Sequence, residues 1–410
     1  MTTQHSINGS RLLRQLNTLA DIGRTDTNAC CRLALTDEDK QGRDLIVRWM
    51  KELGMEISID PIGNIFGVRA GSRPELAPVM TGSHIDTVRT GGAYDGNYGV
   101  LGGLEVVATL NDAQHTTERS LVVGVFTNEE GARFAPDMLG SLVYVGGMTI
   151  EDALNVKAID GAVLGDELKR IGYYGNSALG IHKPHAFVEL HIEQGPLLDI
   201  EGIKIGAVEN LQGISWQELT IVGQSNHAGT TPMYLRHDAG YAASAISHFV
   251  RELTRSMGGN QVGTVGHVVL TPNLINVIAA RATITVDLRN TDEALLQQAE
   301  RALNDFLKSL AESEGVTITS RQLARFEPVT FDAALADRIA YHAGNMNLSH
   351  RRMTSGAGHD AQMLARICPT AMIFVPSVGG ISHNPAEHTD PADLIAGANV
   401  LLATLTELAH

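Results

Sequence analysis

The chain has 410 residues, with 31 Lys and Arg against 46 Asp and Glu, a net charge of −15. At 43% apolar and 19% charged residues it has a globular composition, which excludes a wholly disordered, collagen-like or low-complexity chain. The acidic balance argues against nucleic-acid binding, which needs a basic face, but permits a small anionic substrate held by one arginine. The length passes the roughly 250–300 residues at which one core stops growing, so two domains are expected. Three cysteines, two of them adjacent (Cys30, Cys31), form neither a disulfide framework nor a CxxC metal knuckle and fit a reducing, cytoplasmic setting. Residues 1–20 are polar, without an apolar core of signal-peptide length. No run of about 18 apolar residues is present to span a membrane.

Thr36 and Asp39 form a capping-box pattern, Ile46, Trp49, Met50 and Leu53 mark one helical face, and Gly54 stops it. Strands are expected at 55–60, 64–68, 78–82 and 121–127, with a helix over 99–110, and a further buried strand at 186–191. This alternation predicts a layered α/β domain. The rhythm changes near Leu211. A strand at 214–223, a helix through Ile246, Phe249, Val250 and Leu253, strands at 262–270 and 280–289, a helix through Ala299, Leu303, Phe306, Leu307 and Leu310, and a short strand at 316–319 follow in the order β-α-β-β-α-β. That is the ferredoxin-like pattern. Helix–strand alternation then resumes at 333–343 and 371–376, and a last helix ends at His410. We therefore expect an α/β domain of residues 1–211 and 330–410 with an α+β domain, 212–329, inserted into it.

Four strand-end segments carry chemistry. The run 81–86 holds His84 and Asp86, which point the same way in extended chain and suit a metal-bound imidazole whose other nitrogen meets a carboxylate. Glycines flank Asp95 in the loop 91–96, allowing close approach to a cation. Glu129 and Glu130 are adjacent after the 121–127 strand. Their side chains diverge, so one can bind metal while the other serves as general base. His191 closes the 186–191 strand with Gln194 just beyond, and His383 follows a Gly379-Gly380 turn. Taken singly, each segment also fits a solvated turn or a packed histidine. Together, His84, Asp95, Glu130, His191 and His383 are five N/O ligands on loops of one domain, suited to two divalent ions about 3.5–4 Å apart. With no thiolate, Zn2+, Mn2+, Co2+ and Ni2+ all suit the set.

The chain resembles the M20-type metallohydrolases, and closely their hydantoinase/carbamoylase amidase branch. The matching stretches are GSHIDT (82–87), GGAYDG (91–96), NEEGARF (128–134), ELHIEQGP (189–196), SNHAGTTPM (225–233), SGAGHDAQ (355–362) and GGISHNPAE (379–387), in that family's order. The resemblance implies His84, Asp95 and His191 at one metal, Asp95, Glu130 and His383 at the other, Glu129 as general base and Asp86 as orienter of His84. It implies Asn276 and Arg289 on the substrate carboxylate, His227 on the tetrahedral oxyanion, and Gln194 and the Gly358 backbone as further substrate contacts. Peptidases of the superfamily usually present a carboxylate where this chain has His191, which favours the amidase branch. His359 and Asp360 are expected in the pocket wall.

The reading these residues support is a binuclear metal-dependent amidohydrolase that cleaves the ureido C–N bond of an N-carbamoyl-L-amino acid to amino acid, CO2 and ammonia. Allantoate and β-ureidopropionate share the carboxylate-plus-ureido shape; a dipeptide or N-acyl amino acid is a more distant substrate. A non-catalytic, metal-stabilised binding protein would not need Glu129. The resemblance further implies a lid and dimerisation role for the inserted domain, with His227 reaching the neighbouring subunit of a homodimer.

Overall fold

The computed structural model describes residues 5–410; the first four residues of the polar N-terminal stretch lie outside the described residues. The chain divides into two compact units, Met1–Glu209 with Phe331–His410, and Asn210–Thr330. The strands, in chain order, are β1 (Glu56–Ile59), β2 (Ile65–Arg69), β3 (Val79–His84), β4 (Leu121–Phe126), β5 (Ala186–Ile192), β6 (Ile205–Leu211), β7 (Gly213–Val222), β8 (Val262–Thr271), β9 (Arg281–Asn290), β10 (Thr317–Phe326), β11 (Val329–Thr330), β12 (His350–Ser355) and β13 (Thr370–Val375).

The first unit carries a mixed sheet in the order β1-β2-β4-β3-β5-β13-β6, with β12 also on β6. Its centre, β4-β3-β5-β13, is parallel, and the outer pairs β2–β4 and β13–β6 are antiparallel. Every residue of β3, β4, β5 and β13 is buried, as expected of central parallel strands covered on both faces. Helix Asn97–Asp112 is apolar nearly all round, and its residues from Asn97 to Leu110 are buried. It lies flush on the sheet because Gly99 carries no side chain: a Cβ there would collide with the Leu190 carbonyl and the Ser83 side chain. Its one mid-helix charge, Glu105, is met by Arg11 at 2.6 Å from helix Gly9–Ala20.

The second unit is a four-stranded antiparallel sheet in the order β10-β7-β9-β8, with helices Ala239–Met257 and Glu293–Glu314 filling a core with Leu219, Ile221, Ile284, Val286 and Leu288. Phe249 and Phe306 stack between the helices at 4.1 Å. The order and connections are ferredoxin-like. Strand β9 alternates: Ala282, Ile284, Val286 and Leu288 are buried, so Asp287 and Arg289 stand on the opposite face of the sheet. Where the chain enters and leaves this unit, Asn210 pairs with Thr330 and Leu211 with Val329.

Several elements depart from the sequence reading. Helix Gly9–Ala20, the short helices Leu139–Tyr144, Ile150–Leu154 and Leu164–Ile171, and strands β6 and β12 were not expected. Strand β10 runs ten residues, well past the expected 316–319, because its polar residues face solvent and blur the apolar signal. No helix among the described residues is long and apolar enough to cross a membrane.

Candidate metal centre

Parallel strands place their carboxyl ends at one sheet edge, where α/β proteins bind ligands. His84 is the last residue of β3, Glu129 and Glu130 stand in the turn past β4, His191 is the next-to-last residue of β5, and His383 lies beyond β13. The β3–β5 register pairs Thr81 with Val188. His84 and His191 each lie three residues further on, so their rings meet level, with centroids 6.1 Å apart. Asp95 sits between β3 and helix Asn97–Asp112. The chain turns there through Gly96 at φ 65°, and a Cβ on Gly96 would run into the His84 ring. Only glycine lets the Asp95 loop lie against that imidazole.

Asp95 faces two ways. Its Oδ1 is 3.2 Å from His191 Nε2 and 3.7 Å from His84 Nε2. Its Oδ2 is 3.3 Å from His383 Nε2, which is 3.4 Å from Glu130 Oε2. The donor atoms of His84, Asp95 and His191 cluster tightly enough to hold one ion, and those of Asp95, Glu130 and His383 a second group. Glu129 belongs to neither; its Oε2 lies 3.3 Å from His84 Nε2.

The imidazoles are set as ligands. His84 Nδ1 lies 2.9 Å from the Asp86 carbonyl and His191 Nδ1 lies 2.8 Å from the Ile192 carbonyl. A carbonyl only accepts, so both Nδ1 atoms carry the proton and both Nε2 lone pairs face Asp95. The Gly96 N–H, donating to His191 Nε2 at 3.1 Å, requires the same tautomer. Burial pushes His84 down to about 4 against the pull of Asp95. His191 is pulled up to about 9 by Asp95 despite its burial, a pull that a cation between the two would cancel. Burial, and then the charges of Asp360, Glu130, Asp95 and Asp86, raise Glu129 well above the usual carboxylate range. Burial and Asp95 do the same to Glu130. Burial also acts to raise Asp95, but the His191 and His383 imidazoles beside its two oxygens outweigh it and hold the carboxyl well below that range. Carboxylates buried together beyond what the nearby imidazoles can balance are costly unless a cation is among them. The donor set therefore fits divalent metal.

The structure corrects the role of Asp86. Its backbone carbonyl, not its carboxylate, orients His84. The carboxylate instead accepts the Glu129 N–H at 3.2 Å through Oδ1 and the Glu130 N–H at 3.3 Å through Oδ2. The turn past β4, with Asn128 at φ 57°, aims those two amides at Asp86 and draws its side chain away from the imidazole. Gln194 donates from Nε2 to Asp95 Oδ2 at 2.8 Å, so in this state it braces the shared carboxylate. Gly358 immediately precedes His359, whose ring packs 4.5 Å from that of His191. Glu189, His191 and His359 form a third close group. However, Ser83 Oγ and the Ala361 N–H occupy the Glu189 oxygens, and Ser355 Oγ lies 3.1 Å from His359 Nε2. This group reads as the wall of the centre.

The remaining candidates stand on the second unit. His227 is exposed, and its Nδ1 accepts the Gly229 and Thr230 N–H groups at 3.1 and 3.2 Å, so its proton sits on Nε2. The Asn276 carbonyl accepts the Ala228 N–H at 2.9 Å, which brings the His227 and Asn276 loops together. Arg289 bonds Asp287 through Nε and Nη2 at 3.0–3.1 Å and lies over the Trp216 ring at 5.7 Å.

Residues 80–407 match peptidase family M20/M25/M40. The chain belongs to this family. Within it, the chain is 41% identical to an N-carbamoyl-L-amino-acid amidohydrolase of Rhizobium meliloti, over 98% of this chain and 97% of that one. It is 36% identical to an allantoate amidohydrolase of Escherichia coli K12, over 95% and 96%. The crystal structure of a hydantoinase/carbamoylase-family amidase from Burkholderia multivorans aligns with a TM-score of 0.95 at 46% identity, covering 98% of both chains.

Two further residues beside this centre, within the stretches 189–196 and 379–387, have no role that the sequence assigns. Glu189 ties Ser83 on β3 to the Ala361 amide (2.6 and 2.8 Å); a carboxylate inside an apolar strand was its signal. Glu387 accepts the Tyr94 and Asp95 N–H groups at 2.9 and 3.3 Å, clasping the Asp95 loop. Its partners lie some 290 residues away in the chain, so no local pattern shows the contact.

Proposed function

We propose that this M20 protein is a binuclear metal-dependent amidohydrolase cleaving the ureido C–N bond of N-carbamoyl-L-amino acids. One observation carries the reading: the two Asp95 oxygens face separate ligand groups while Glu129 stands beside them in neither. His84, Asp95 and His191 would hold one ion and Asp95, Glu130 and His383 the other. When bound, divalent ions supply positive charge to the attacked carbonyl and the attacking oxygen. Glu129 takes a proton from the attacking water as its oxygen bonds to the ureido carbon. Glu129 then gives that proton to the amino-acid nitrogen as the C–N bond breaks. The products are the free amino acid and carbamate, which decays to CO2 and ammonia. His227 Nε2–H is the donor for the developing oxyanion, and Arg289, with Asn276, pairs with the substrate carboxylate. Asp287 holds the Arg289 fork in plane. Gln194 and the Gly358 backbone complete the substrate contacts.

The relatives support the substrate class, and the allantoate amidohydrolase among them makes allantoate the second reading. Ammonia release from N-carbamoyl-L-amino acids, allantoate and β-ureidopropionate tests both. Release from none of them would overturn the proposal. Three free cysteines support a reducing, cytoplasmic setting.

Arg289→Lys is expected to raise KM for the carboxylate substrate roughly 10- to 100-fold, the worth of one charge-assisted hydrogen bond, with metal content unchanged. An unchanged KM would remove Arg289 from the site.

The same proposal includes a homodimer through the second unit, with His227 of one chain serving the centre of the other. Exposed His227 and the apolar outer strand β8, with Val268 and Val269 about half exposed, support it. Mixing inactive His227→Ala and Glu129→Gln chains should restore activity to about one quarter of wild type, since half the dimers are mixed and each has one intact site. No recovery despite demonstrated subunit exchange would place His227 in cis.

A further inference from the structure

We propose that Arg32 is a positioning residue that locks the His84 and Asp95 loops in register for metal, an inference that rests on the metal reading above. Arg32 is fully buried, yet among the described residues no carboxylate forms an ion pair with it. Arg43, equally buried, pairs with Asp39 at 2.8 Å. A buried guanidinium without a counter-charge is costly and persists only where its hydrogen bonds are complete.

Those bonds converge on the centre. Arg32 Nε donates to the Ile85 carbonyl at 2.7 Å, one residue past His84. Nη2 donates to Asn97 Oδ1 at 2.7 Å. That contact fixes the Asn97 amide so that its Nδ2 donates to the Ala93 carbonyl at 3.1 Å. The Asn97 N–H donates to the Asp95 carbonyl at 2.7 Å. Asn97 thus grips the Asp95 loop at two points, and Arg32 grips Asn97. Nη1 anchors the assembly to the Leu19 and Ile22 carbonyls at 2.9 and 2.8 Å. The Arg32 backbone exchanges hydrogen bonds with Thr87, where its N–H meets Thr87 Oγ1 at 2.8 Å and its carbonyl the Thr87 N–H at 2.9 Å. Only a planar fork reaches three carbonyls on two segments and one amide at once; a lysine ammonium cannot. Asp95 belongs to both ligand groups, so loosening its loop weakens both.

The test uses the full chain loaded with Zn2+ and follows transfer of the ion to a chromogenic chelator. Outer-shell partners of metal ligands are typically worth about 10–100-fold in metal affinity. Arg32→Lys and Asn97→Ala are expected to release Zn2+ faster by that factor, well below their melting temperatures and with unchanged far-ultraviolet circular dichroism. Leu12→Ala, a cavity in the helix that Arg32 anchors, controls for lost stability; its release rate should match wild type despite a lower Tm. Should Arg32→Lys fail to fold, Asn97→Ala decides alone. Release by the folded variants at the wild-type or Leu12→Ala rate overturns the inference. A wild type that takes up no Zn2+ overturns the metal reading and this inference with it.

Discussion

Replacing Glu129 by glutamine is expected to lower kcat by about 10²–10⁴-fold, the usual worth of a general base, with metal content unchanged. The side chain keeps its shape, and its N–H still reaches Asp86, so the turn past β4 should hold. Glutamine cannot take the water proton or return it to the leaving nitrogen. Elemental analysis beside steady-state kinetics checks both halves. Loss of one ion would mean that Glu129 and Glu130 exchange the base and ligand roles.

The second large effect is expected from Asp95→Asn. Asp95 is the one residue shared by the His84–His191 group and the Glu130–His383 group, so removing its charge should empty both positions and abolish turnover. Exhaustive chelation of the wild type should give the same inactive protein, restored by added divalent ions. Which ion restores best depends on intrinsic affinity and supply together. Full activity in metal-free wild type, or wild-type metal content in Asp95→Asn, would sink the binuclear reading.

The candidate ligands are legible in the sequence because each lies at or after a strand end beside glycine or another polar residue, a local pattern. The β-α-β-β-α-β order of the second unit was equally plain, since its strands alternate and its helices show apolar faces. What escaped depends on partners distant in sequence. Extended-chain geometry points the Asp86 carboxylate at His84, but the backbone turns after β3 and a carbonyl takes that place. Arg32, Glu189 and Glu387 reach across loops that only the folded sheet brings together. Strand β12 gives no apolar signal because its Arg351 and Arg352, half-exposed, interrupt any apolar run.

The pairing of Asn210–Leu211 with Val329–Thr330 has a consequence for how such a chain is assembled. The two ends of the second unit are a hydrogen bond apart, so to the rest of the chain the roughly 120 residues between them count as one hairpin turn. Loop-closure entropy grows only as the logarithm of length, and here the unit's own sheet supplies the closure. A module whose ends already meet can be lengthened, trimmed or exchanged without stretching its host, while the proposed metal ligands, all outside it in sequence, keep their places.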